Sequence, residues 1–174
     1  MNFYPHTALE IPRSDSGLID RGKLNDFWEE AEQTQENLSS AIGCYIFSIK
    51  SGRGALPWYV GLAEKQSFKK ECFTSHKLVH YNEALVSKKG IPMLTLIAKR
   101  TPTGRIVLPT GGEHRDIQFL ELQLIDKCLD RNIELCNSSN TKLLKEMVVY
   151  GLMNTPRGKS NQDTLDFKKL IGIE

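Results

Sequence analysis

The stretch from about Glu113 to Arg131 constrains this chain most. Its apolar residues Ile117, Leu120, Leu124, Ile125 and Cys128 follow the three- and four-residue spacing of one helix face. Glu121 falls inside that face, one turn after Ile117 and one turn before Ile125. A carboxylate pressed toward a core needs a cation, a metal ion or hydrogen-bond donors, because burying it bare is very costly. The plainer reading is a glutamate at the edge of the stripe, its head reaching water or an arginine. Glu113 is also acidic, but it lies about two turns away.

A second region carries strands. Ile42 to Ile49 reads Ile-Gly-Cys-Tyr-Ile-Phe-Ser-Ile, a short β-prone run. Ser51-Gly52-Arg53-Gly54 follows as a turn, and Pro57-Trp58-Tyr59-Val60-Gly61 as a second short strand. Gly43-Cys44-Tyr45 and Tyr59-Val60-Gly61, followed by Glu121 on a later helix and Asn137 after it, form an ordered set. In this order the chain resembles the GIY-YIG nuclease family over about Ala41 to Asn140.

That resemblance implies a three-stranded antiparallel sheet at the centre and hydrolysis of phosphodiester bonds. It also implies catalytic roles for Tyr45 and Tyr59, a metal-binding role for Glu121, and Mg²⁺ or Mn²⁺ as cofactor. The family carries an arginine one helical stretch after the second triplet. Here that stretch reads Ser67-Phe68-Lys69-Lys70-Glu71-Cys72-Phe73, with no arginine. Lys69 or Lys70 is the expected source of the charge, although lysine lacks the planar fork of arginine. Neighbouring helical residues are turned by about 100°, so only one of the two can face the site.

Without the resemblance, Tyr45 and Tyr59 read as strand aromatics packed on a sheet. As site residues, a phenol can donate to a phosphate oxygen or take a proton from water. His76 and His80 are four apart and share a face if their stretch is helical. No further ligand pattern accompanies them, so His76 is a candidate base or phosphate donor, or simply a surface residue.

Charge is unevenly distributed behind the net +2. Leu24 to Ala41 carries five acids and no base, whereas Lys65 to Arg105 carries nine bases against Glu71 and Glu83. A local excess of that kind suits phosphate, since counterion release supplies most sequence-independent affinity. Lys65 and Lys77 are therefore expected nucleic-acid contacts; the resemblance adds Asn137 and implies DNA as the partner. A solvated basic surface without a partner is the alternative.

The remaining segments suggest a small α+β protein. The first 22 residues, with Pro5, Pro12, Gly17 and Gly22, read as an extended arm, and Leu24 to Leu38 as a helix. Ser67 to Ser87 reads as helical, broken near Thr74-Ser75. Pro92 to Ala98 reads as a strand covered on both faces. Arg105 to Leu108 is expected to pair back as an added hairpin strand. Ser138-Ser139-Asn140 offers an N-cap for a helix through Thr141 to Gly151, and Asp163 to Ile171 a closing helix. The expected organisation is an arm and acidic helix over 1–40, a nuclease-like domain over 41–140, and a helical extension packed on it over 141–174.

Cys44, Cys72, Cys128 and Cys136 form no Cys-x-x-Cys pair, which argues against a zinc site. Reduced core cysteines suit a cytoplasmic protein. No apolar run approaches the ~20 residues of a membrane helix, and the N-terminus lacks the order of a signal peptide. Three functions stay open: a metal-dependent endonuclease, a non-catalytic nucleic-acid-binding or accessory domain on the same scaffold, and a small-molecule enzyme.

Overall fold

A computed structural model describes residues 1–137, 141–158 and 160–173. The chain divides into two compact units, Met1–Asn137 and Ser138–Glu174. The first is an open antiparallel sheet flanked by helices. Strands β1 (Asn2–Pro5), β2 (Leu9–Glu10), β3 (Gly43–Ser51), β4 (Gly54–Ala63) and β5 (Ile91–Arg100) form it. The order is β1-β5-β3-β4, with β2 also pairing β5. Its helices are α1 (Leu24–Thr34), α2 (Phe68–Glu71), α3 (Ser75–Ser87) and α4 (Arg115–Arg131).

Side chains alternate across β3 as a two-residue period requires. Tyr45, Phe47 and Ile49 join Phe27, Trp28 and Ala31 of α1 and Leu78, Tyr81, Ala84 and Leu85 of α3 in the larger core. Cys44 faces the other way, with Ile42 and Ile97 against Ile117 of α4, where Leu120 and Leu124 also pack. The sheet is therefore covered on both faces. The apolar stripe foreseen on α4 is the face that meets it, with Ile117, Ile125 and Cys128 buried.

The N-terminal arm does more than lead in. β1 and β2 pair along the outer edge of β5, so the arm belongs to the same unit as the sheet. The opposite edge, β4, is closed by the segment after α4. There Asn132 Nδ2 donates to Pro57 O at 2.8 Å and Cys136 N to Trp58 O at 2.8 Å. Covering the β4 edge removes one template for unwanted strand pairing. The hairpin strand expected at Arg105–Leu108 is reduced to a bridge between Arg100 and Ile106, with Val107 N donating to Lys99 O at 3.0 Å and Ile42 N to Val107 O at 3.1 Å.

In the second unit, α5 (Thr141–Glu146) is shorter than expected, and α6 (Gln162–Leu170) closes the chain. Asn154 Nδ2 donates to Met147 O at 2.9 Å and also to Leu144 O, turning the chain where a longer helix was expected. The Asn161 side chain caps α6 by accepting from Thr164 N at 2.9 Å. The cap expected at 138–140 lies outside the described residues. No helix among the described residues is long and apolar enough to cross a membrane.

Candidate functional site

The two glycines of the triplets have separate physical reasons. Gly43 has φ +154°, and a Cβ there would overlap the Ile97 carbonyl of β5. Gly61 is the cross-strand partner of Tyr45. A Cβ on Gly61 would come within 2.7 Å of Tyr45 Cε2, and nearer still to Cζ and the hydroxyl. The Tyr45 ring thus lies across the glycine.

This arrangement fixes the two tyrosines. Their rings stack with centroids 6.3 Å apart, the reach of a diagonal cross-strand pair. Tyr45 is fully buried, its hydroxyl lies beside that of Tyr81 without a well-formed hydrogen bond, and burial pushes its phenol well above the usual range. Tyr81 is likewise buried, its ring stacked 4.2 Å from Phe47. Tyr59 differs, because its hydroxyl accepts from Lys77 Nζ at 2.7 Å.

Lys77, expected as a nucleic-acid contact, is the cation at the tyrosines. Its ammonium also pairs with Glu71 Oε1 at 3.7 Å and lies 5.0 Å from the Tyr59 ring centre. Lys69 and Lys70, the expected substitutes for arginine, sit instead on the single turn of α2, both exposed. Lys69 lines a separate depression with Trp28, Glu29, Glu32 and Ser39. The reason is local: α2 ends at Glu71, and the chain restarts as α3 at Ser75. Extending the search one turn beyond Phe73 reaches Lys77, which is four residues before the buried Tyr81.

His76 is exposed, its ring edge-on to His80 at 4.6 Å. His80 is the histidine that touches the site, its ring stacked on Tyr59 at 5.8 Å. Lys65 is exposed and pairs with Glu113 at 3.3 Å. Asn137 staples the β4 edge at the second triplet: its side chain accepts from Val60 N at 2.9 Å and donates to Val60 O at 2.7 Å.

Glu121 is partly buried on α4, within electrostatic reach of Lys77 although α3 and α4 cover opposite faces. Burial raises its carboxyl above the ordinary value; Lys77 opposes this, and Glu64 and Glu71 reinforce it. Those neighbouring carboxylates, not foreseen from sequence, are already engaged. Glu64 accepts from His114 N at 2.8 Å and from Gln118 Nε2 at 3.1 Å. Glu71 accepts from Gln66 Nε2 at 2.6 Å besides pairing with Lys77. The Glu121 carboxylate makes no hydrogen bond or ion pair among the described residues.

Leu62, Glu64, Lys65, Gln66 and Glu71 line an open pocket of about 370 Å³ beside these groups. No three His, Cys, Asp or Glu side chains converge as metal ligands among the described residues. Glu121 is the carboxylate here that no neighbour holds, and oxygen is the donor type that hard cations take. The donors present do not make a protein-built cage. All four cysteines are free thiols, and burial pushes Cys128 up to about 11. No family model, curated protein or solved structure matches the chain.

Proposed function

We propose that the chain is a metal-dependent endonuclease of GIY-YIG-like design that hydrolyses phosphodiester bonds in DNA, with Lys77 standing for the arginine. One observation carries the reading. Lys77 Nζ, 2.7 Å from the Tyr59 hydroxyl, lies within electrostatic reach of Glu121, a carboxylate without a partner of its own. A phenol, an ammonium and an unpaired carboxylate are groups that phosphodiester hydrolysis needs.

Each residue then has a task. Lys77 binds a non-bridging phosphate oxygen and offsets the charge that grows there. By donating to Tyr59 it fixes the phenol's orientation and leaves the phenolic proton directed elsewhere. Tyr59 exchanges a proton with the attacking water. Glu121 would hold Mg²⁺ or Mn²⁺, which when bound supplies charge relief to the phosphate and to the leaving oxygen. Tyr45, wholly buried, acts from beneath by holding Tyr59 in place. His80 supports the outer face of the Tyr59 ring.

The test is incubation of the protein with supercoiled plasmid and Mg²⁺ or Mn²⁺, followed on a gel. Nicking that disappears in Glu121→Gln and in Lys77→Ala is the expected result. Duplex binding without nicking in either metal would favour the non-catalytic binding domain.

A further inference from the structure

The pocket's own lysine, Lys65, pairs with Glu113 at 3.3 Å, and Lys77 pairs with the pocket residue Glu71 at 3.7 Å. The second pair is the more enclosed, with Lys77 and Glu71 side chains 17% and 22% exposed. It is also held from behind, because Gln66 Nε2 donates to the other Glu71 oxygen at 2.6 Å. Glu71 and Gln66 both line the pocket. A carboxylate fixed on Lys77 occupies the place that a phosphate oxygen would take.

We propose that Glu71 is a built-in competitor for phosphate, holding Lys77 in the free protein and leaving it when a backbone phosphate of nucleic acid binds. The inference rests on the nucleic-acid reading of this site. Its physical basis is simple exchange. An ammonium shared between a fixed carboxylate and an arriving phosphate binds the phosphate less well than a free one, and like charges pressed together oppose binding. Glu71 therefore sets both affinity and salt dependence. A cation neutralised within the protein releases fewer counterions from the nucleic acid than an unpaired one.

The experiment is fluorescence anisotropy of a labelled short duplex DNA in EDTA, titrated with the full chain at several salt concentrations. The proteins are wild type, Glu71→Gln, Lys77→Ala and the double variant. Gln keeps an acceptor for Gln66, and Glu71→Ser serves as a second variant should Gln disturb the fold, which a melting curve reports. Glu71→Gln is expected to tighten binding by about fivefold. It should also steepen the slope of log K against log salt by about 0.9, the value of one additional phosphate contact. In the Lys77→Ala background the same change should do little, because the competitor then has nothing to hold. Unchanged or weaker binding by Glu71→Gln would overturn the proposal. So would an equal gain with and without Lys77, since that marks general repulsion. If no protein in the set binds duplex even at low salt, the nucleic-acid reading falls with it; if wild type binds and Lys77→Ala weakens it, only the role of Glu71 is at stake.

Discussion

Tyr45 and Gly61 face each other across β3 and β4, and the tyrosine ring fills the space in which a Gly61 side chain would stand. The second triplet therefore ends in glycine for the sake of the first triplet's tyrosine. Gly61→Ala should displace the ring and destabilise the fold by about 1–3 kcal/mol, the usual cost of overpacking. Urea denaturation measures it; an unchanged midpoint would show that the ring yields freely.

The Tyr45 hydroxyl is buried beside that of Tyr81 without a well-formed hydrogen bond, and leaving such a group unsatisfied costs about 1–3 kcal/mol. Tyr45→Phe should leave stability unchanged or raise it by about 1 kcal/mol, and nicking should persist. Loss of nicking with an intact fold would give the hydroxyl a chemical role that its burial argues against.

Lysine scanning separates the two possible sources of positive charge. Lys77→Ala should lower the nicking rate by about 100-fold, the scale of losing one donor to a developing oxyanion. Lys69→Ala and Lys70→Ala should stay near the wild-type rate, since neither contacts the tyrosines. A collapse on replacing Lys69 or Lys70, with Lys77→Ala active, would return the role to α2.

Asn137 binds both backbone groups of Val60 on the β4 edge. Removing these two bonds in Asn137→Ala should cost about 2 kcal/mol, at roughly 1 kcal/mol per hydrogen bond. If Asn137 served nucleic acid alone, the melting temperature would not move.

The parts of this fold that could be read from sequence are those with strong local pattern. The helix at Arg115–Arg131 and the apolar strand at Ile91–Arg100 follow from their own residues. β1 and β2 do not, because Asn2–Pro5 and Leu9–Glu10 become strands only by pairing with β5. The site divides in the same way. Glu121 is legible as a carboxylate on an apolar face, whereas in the sequence Lys77 is a basic nucleic-acid contact with nothing to tie it to the tyrosines. What distinguishes it is the break between α2 and α3, which turns Lys77 toward Tyr59 and leaves Lys69 and Lys70 outside. Glu64 and Glu71 carry no sequence pattern at all, and only tertiary contact groups them with Glu121.

Glu121→Gln tests the site most directly, because stability and activity should move in opposite directions. The raised Glu121 carboxyl means that the folded chain holds this proton more tightly than the unfolded chain. Its contribution to stability is fully present below the ordinary value of 4.5 and is lost as pH rises through the higher folded value. At neutral pH without metal the ionised carboxylate is therefore a burden, and no ion pair depends on it. Glutamine is nearly isosteric and uncharged. In EDTA the variant should melt at or above the wild-type temperature, with the gap widening from about pH 4.5 upward and closing in acid. Nicking in Mg²⁺ or Mn²⁺ should meanwhile collapse. Thermal stabilisation by Mn²⁺, expected for wild type through binding to the folded form alone, should vanish with it. A variant that melts lower than wild type at pH 7 in EDTA and still nicks plasmid would make Glu121 a structural partner of Lys77, and the chain would lose its proposed metal ligand.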